Sequence, residues 1–194
     1  DGISNDGTFD ITGLEAGASW TLKTDAGPQT GTGSSFALSD GRYPTGQLSL
    51  VQTDLAGNTS QAVLNTLAIT VDRVAPGQMR IAEVTENTVT TQVLAQGGTT
   101  ADTTLDIQVA LNDSGAVLGD VIQLYNGSTA IGSPVTLTAQ HLADNLVALT
   151  TPTLAEGTYQ FMVRATDLAG NPSAQATAYA ITVSTTAPQA PTFA

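Results

Sequence analysis

The chain has 194 residues, 17 of them acidic and 5 basic, and it contains no cysteine. So few Lys and Arg residues leave it no means of displacing counterions from nucleic-acid phosphates or of holding an anionic membrane surface, and the acidic excess favours cations as partners. Disulfides and thiolate metal sites are excluded outright, whereas an apolar fraction of 41% is enough to build packed cores.

In chain order, "DGISND" comes first, an acidic loop with Asp1, Asn5 and Asp6 around a glycine. "SWTLKT" alternates Trp20 and Leu22 with Thr21 and Lys23, the period of a half-buried strand. The same spacing makes Trp20 a core residue, with an exposed sugar-stacking platform as its alternative role. The hexapeptide TDLAGN follows at Thr53 to Asn58, and Ala75-Pro76 closes the next strand and begins a linker. "QMRIAEVTENTV" then reads as a leading strand, and "LDIQVAL" alternates Leu105, Ile107, Val109 and Leu111. "GDVIQLYNGS" enters a hairpin turn at Asn126-Gly127. Thr138 to Leu146 predicts a helical turn, with Leu142 and Leu146 four apart. "YQFMVRATD" sends Tyr159, Phe161, Val163 and Ala165 to one face, and TDLAGN returns at Thr166 to Asn171.

The hexapeptide is not alone in recurring. "DGISNDGTFDI" matches "GGTTADTTLDI" from Gly97, "DGRY" ending at Tyr43 matches "EGTY" ending at Tyr159, and "LAITVDRVAP" matches "YAITVSTTAP". The blocks keep their order, which predicts a tandem repeat of all-β, immunoglobulin-like β-sandwich domains. The expected division is 1–76, apparently without its first strand, then 77–188, then 189–194 as a linker into a further repeat. With Asp rather than Met at its start, the chain is expected to be a window on a longer array.

The ordered set "DGISNDGTF", "ITGLEAGASW", "TDLAGN" and "ITVDRVAP", with "GDVIQLYNGSTAIGSPVTLT" and "LAEGTYQFMVRATDLAGN" in the second half, resembles the bacterial immunoglobulin-like repeats of giant biofilm-associated and repeats-in-toxin (RTX) type surface adhesins. The resemblance covers nearly the whole chain. It implies an extracellular, cell-surface protein in which long arrays project a ligand-binding tip, stiffened by calcium (Ca2+) at the junctions. The implied partners are neighbouring repeats of the same polypeptide, and host or biofilm ligands bound through other regions. The glycine-rich nonapeptide repeats of such proteins are absent here. The chain is expected to be monomeric.

Calcium takes about 6 to 8 oxygen ligands from flexible loops. In an immunoglobulin-like topology, Asp1, Asn5, Asp6 and Asp72 share the exit pole of the first domain. Asp120, Asp167 and Asn171 share the entry pole of the second, so the two groups are candidates for one junction site. Asp54 and Asn58 would face a preceding domain. Asp102 keeps one position of the second-copy loop, where Gly97 and Ala101 replace the other ligands, and Ser184 stands in place of Asp72. A second reading needs no metal: Asp and Asn in a tight loop bond their own backbone, and Gly supplies the positive φ.

No enzyme is expected. His141 is the only histidine, with no G-x-S-x-G, P-loop or dinucleotide fingerprint beside it. Zinc would need further His or Cys ligands, and a glycosidase carboxylate pair duplicated inside turns would be unusual. The alternatives to an extender are a sugar- or protein-binding module, which an exposed cluster of Tyr125, Tyr159 or Tyr179 would favour, and an accessory domain of a secreted polysaccharide-degrading enzyme.

Overall fold

The computed structural model describes residues 2–87 and 92–192. The chain is almost wholly β and divides into two compact units, Asp1–Val74 and Ala75–Ala194. The division falls just before the Ala75-Pro76 pair. Beyond it Gly77 donates its N–H to the Ser114 carbonyl at 2.6 Å, and Gln78 Nε2 donates to the Gln175 carbonyl at 2.6 Å, tying that stretch to the second unit.

The first unit comprises β1 (Ile3–Ser4), β2 (Thr8–Asp10), β3 (Ser19–Thr24), β4 (Gly27–Gly31), β5 (Ser35–Ala37), β6 (Gly41–Tyr43), β7 (Ser49–Thr53), β8 (Val63–Leu64) and β9 (Ile69–Val71). They form sheets in the orders β1-β9-β6, β2-β5 and β4-β3-β7-β8. The β6/β7 strand is broken at Pro44, which has no N–H to give a ladder. Asn65 fills the break, donating from Nδ2 to the Pro44 carbonyl and accepting from the Leu48 N–H, both at 2.9 Å.

Trp20 and Leu22 alternate inward from β3 as their spacing requires, and Trp20 is only 6% exposed. Its indole N–H donates to the Gly33 carbonyl at 2.7 Å, and its ring leans on Phe36 at a centroid distance of 6.2 Å. A Cβ at Gly31 would lie 2.5 Å from the Trp20 ring, so only glycine lets the indole lie there. The sugar-stacking role for Trp20 is thereby excluded: the ring is core.

The second unit comprises β10 (Arg80–Glu86), β11 (Gly98–Thr100), β12 (Leu105–Ala110), β13 (Val121–Asn126), β14 (Thr129–Thr136), α1 (Ala139–Asp144), β15 (Leu146–Thr150), β16 (Gly157–Thr166) and β17 (Tyr179–Val183). Its sheets run β10-β12-β15 and β11-β17-β16-β13-β14, and the inward faces of β12 and β16 close on each other through Leu105, Ile107, Val109, Phe161, Val163 and Ala165. The leading-strand expectation extends through Thr88 and Val89, which lie outside the described residues.

The β13–β14 hairpin pairs Asn126 with Thr129, so its two turn residues are Gly127 and Ser128, one place later than the Asn126-Gly127 reading. Gly127, at φ 58°, takes the first central position, where a positive φ is required. The predicted helical turn forms as α1, capped by Thr138, and His141 completes a capping box by accepting the Thr138 N–H at Nδ1.

Candidate functional site

The two TDLAGN copies fold into the same turn. In the first, Asp54 Oδ1 accepts the N–H groups of Ala56 at 2.9 Å and Asn58 at 2.8 Å, while Oδ2 accepts Asn58 Nδ2 at 2.8 Å. In the second, Asp167 Oδ1 accepts the Asn171 N–H and Oδ2 accepts Asn171 Nδ2, both at 2.8 Å. The backbones match as well: Gly57 N–H bonds the Asp54 carbonyl, and Gly170 N–H the Asp167 carbonyl, each at 3.1 Å. Gly57 and Gly170, at φ 90° and 91°, supply the turn conformation that a side chain would resist. Donation from Asn58 is the largest of the causes that hold the Asp54 carboxyl below its ordinary range.

Each loop's leucine seats on a glycine of the neighbouring loop. Leu55 would touch a Cβ at Gly17 at 3.2 Å, and Leu168 one at Gly119 at 3.1 Å. This contact brings the Asp120 loop beside the Asp167 loop at one end of the second unit. Asp120 is fully buried, and its Oδ2 accepts the Val117 N–H at 2.9 Å.

At the opposite end of the first unit the Asp6 and Asp72 loops do meet. The Asp72 N–H reaches the Ser4 carbonyl at 2.9 Å, and Arg73 Nε reaches the Asp6 carbonyl at 3.2 Å. A guanidinium thus lies beside this loop and bonds its backbone. Arg73 also pairs with Asp40 at 2.7 Å and bonds the Leu38 carbonyl at 3.0 Å, and a Cβ at Gly7 would strike its guanidinium. Asp6 Oδ1 accepts the Thr8 hydroxyl and Asp72 Oδ1 the Val74 N–H, both at 2.9 Å. Asn5 is exposed, and Asp1 lies outside the described residues.

The second unit builds the corresponding clasp without an arginine. Glu156 Oε1 accepts the Thr185 N–H and the hydroxyls of Thr185 and Thr186, each at 2.7 Å. These bonds, Thr186 foremost, pull its carboxyl down to about 2. Asp102 is committed likewise: Oδ2 accepts the Asn87 N–H at 2.7 Å and Oδ1 the Thr104 N–H at 3.1 Å. Asp40, Arg73 and Glu156 carry no motif that marks them in the sequence as site residues. The one available signal was that Asp40 and Glu156 occupy the same place in the "DGRY" and "EGTY" blocks.

An all-oxygen donor set of Asp, Asn and backbone carbonyls has the chemistry of a hard-cation site and not of a zinc or copper site. The carboxylates, however, are turned onto their own loops. Among the described residues no three His, Asp or Glu side chains gather closely enough to hold an ion. Within either unit the candidates therefore do not fit a calcium cage as they stand.

No family model and no curated protein matches the chain. Solved structures that match include one titled "Biofilm associated protein - BSP domain", at 15% identity and a TM-score of 0.35 over 88% of this chain and 25% of that one. Another is SGBP-B of the Bacteroides ovatus mixed-linkage glucan utilization locus, in complex with a mixed-linkage heptasaccharide. It matches at 13% identity and a TM-score of 0.22, over 94% of this chain and 64% of that one. The chain thus spans a quarter of the first and under two thirds of the second. Neither superposition is close enough to carry a residue or a ligand across.

The tyrosines are structural. Tyr43 and Tyr159 each donate a hydroxyl to the carbonyl four residues upstream, Ser39 at 2.9 Å and Ala155 at 3.0 Å, the tyrosine corner of immunoglobulin-like sandwiches. Tyr179 donates to the Leu94 carbonyl at 2.6 Å, and the Arg164 guanidinium lies 5.7 Å from the Tyr125 ring centroid. All three second-unit tyrosines are half-buried rather than gathered into an exposed aromatic patch. Among the described residues no helix is long and apolar enough to cross a membrane.

Proposed function

We propose that this chain is an extender segment of a bacterial surface adhesin, two tandem immunoglobulin-like repeats whose task is to space a distal binding region from the cell. The reading is supported by one observation above the others: the same framework devices recur in both units. The Asp-Asn turn, the leucine seated on glycine, the tyrosine corner and the acidic clasp on the last strand each appear twice. Duplicated framework without a duplicated open site is what a spacer needs. In a binding module or a catalytic accessory domain, by contrast, the polar side chains would converge on a cleft.

The test is to insert one, two or three copies between an outer-membrane anchor and a binding tag, and to measure how far the tag reaches from the cell. Reach that grows with copy number supports a spacer. Retention of the isolated chain on a glycan or host-protein array would assign it a binding role instead.

The finer reading adds calcium as the ion that stiffens successive repeats. Oxygen donors would come from Asn5, Asp6 and Asp72 at one pole and from Asp120, Asp167 and Asn171 at the other, completed by groups outside each unit. A calcium titration followed by melting temperature tests it, because an ion bound only by the folded state must raise the transition. An unchanged transition up to about 10 mM, above the range of extracellular calcium modules, would remove calcium and leave the spacer reading standing.

A further inference from the structure

α1 lies in a crossing that the first unit makes without a helix. There the chain passes from β4 to β5 through residues 32–34, whereas the second unit passes from β14 to β15 through residues 137–145. Both ends of the longer segment are fixed. Leu137, 1% exposed, gives its N–H to the Asp120 carbonyl at 2.7 Å, and the Asn145 carbonyl accepts the Leu111 N–H at 3.0 Å.

Little holds α1 itself. Its 6 residues are too few for a helix to stand unaided in water, none of them is fully buried, and of its apolar side chains Leu142 packs against the core. The first turn therefore rests on its capping box. Such a box ordinarily closes with Glu or Gln. Here His141 takes that place: Nδ1 accepts the Thr138 N–H at 3.2 Å, and Thr138 Oγ1 accepts the His141 N–H at 3.3 Å. A ring nitrogen that accepts carries no proton, so the neutral ring holds its proton at Nε2. Histidine is the side chain whose ordinary charge change falls between pH 5 and 8, and the chain has no other.

We propose that α1 is an acid-sensitive latch on the second unit. A proton taken from solvent at Nδ1 turns the acceptor into a donor facing the Thr138 N–H. The box opens, and residues 138–145 loosen between their fixed ends. β14 and β15, on either side, carry no charged side chain. The carboxylates on segments that touch this stretch belong to Asp144, Asp113 and Asp120. Asp144 accepts Gln140 Nε2 at 2.9 Å, Asp113 is exposed two places beyond Leu111, and Asp120 accepts the Val117 N–H. No basic side chain stands among them, so the capping bond is what opposes the proton. The charged ring would gain from the helix carbonyls behind it, but less than the opposed donors lose. The inference stands apart from the spacer reading and from calcium.

The test is amide hydrogen exchange on the whole chain at about pH 8 and pH 5.5, the range across which an imidazole takes up its proton. Both values lie well above the range in which Glu156 is protonated. Rates are expressed as protection factors, which removes the pH dependence of exchange itself. The Leu142 N–H bonds the Thr138 carbonyl at 3.2 Å, and its protection should fall about tenfold at the lower pH, the effect of one lost hydrogen bond. Amides of β13 and β16 should be unchanged. His141→Gln offers an acceptor at both pH values and should hold the Leu142 protection constant. Equal protection at the two pH values in the parent chain, the same fall in His141→Gln, or a fall shared by β13 and β16 overturns the proposal.

Discussion

Changing Asp167 to Asn separates a turn role from an ion-ligand role at a single oxygen. The side chain keeps its shape, and Oδ1 can still accept the Asn171 N–H. At Oδ2, however, an amide NH2 would now face Asn171 Nδ2 across 2.8 Å, a donor against a donor. Replacing a charge-assisted acceptor by an opposed donor at a half-buried site costs about 1–3 kcal/mol. For a unit of this size each kcal/mol moves the melting temperature by about 3–6 °C, so a fall of roughly 3–18 °C is expected. It should already be present in excess chelator, where no ion can contribute, with any further loss seen only in calcium marking a ligand role. The exchange Asp167→Asn with Asn171→Asp restores one donor opposite one acceptor and should recover more than half of the loss. Differential scanning calorimetry of the three chains under both conditions is the assay. If Asp167→Asn melts like the parent in chelator and differs only in calcium, the carboxylate acts as an ion ligand and the hydrogen-bond reasoning is refuted.

Glu156 sets an acid limit. Its folded carboxyl lies near 2, against 4.5 for an ordinary glutamate, so its contribution is complete above about 4.5 and is lost as the pH falls towards 2. Glu156→Gln should flatten that part of the stability–pH curve, and unaltered acid unfolding would show that the clasp on Thr185 and Thr186 contributes nothing. Gly31→Ala should push the Trp20 ring off its seat at a cost of about 1–3 kcal/mol, with a red-shifted emission spectrum as the readout. Phe161→Ala removes a fully buried ring from the second core and should cost about 3–5 kcal/mol in urea unfolding.

The strands were legible because their chemistry repeats with the pleat. Trp20 and Leu22, Leu105 and Ile107, and Phe161 and Val163 announce the buried face by alternation alone, whereas the Leu142 and Leu146 spacing pointed to a helical turn that stops short of Leu146, the first residue of β15. What escaped was set by contacts distant in sequence or by direction. Arg73 and Asp40 are 33 residues apart, and no spacing rule links a lone arginine to a lone aspartate across a fold. An Asp and an Asn four apart suit an ion and a self-bonded turn equally well. Only the carboxylate's orientation onto Ala56 and Asn58 separates them. The Pro44 break could have been read from proline chemistry, but its closure by Asn65, 21 residues on, could not.

In both units a strand near the chain's entrance runs parallel to the last one: β1 along β9, and β11 along β17. Tension applied to the two ends of such a pair draws the strands past each other along their common axis. The load then falls on several bonds at once, among them Thr70 N–H to the Gly2 carbonyl and Asp72 N–H to that of Ser4 in the first unit, and Ser184 N–H to that of Thr100 in the second. An antiparallel pair pulled from one end peels a bond at a time, whereas this arrangement has to shear as a block. Each unit thus carries a built-in resistance to a pull applied along this pair of strands.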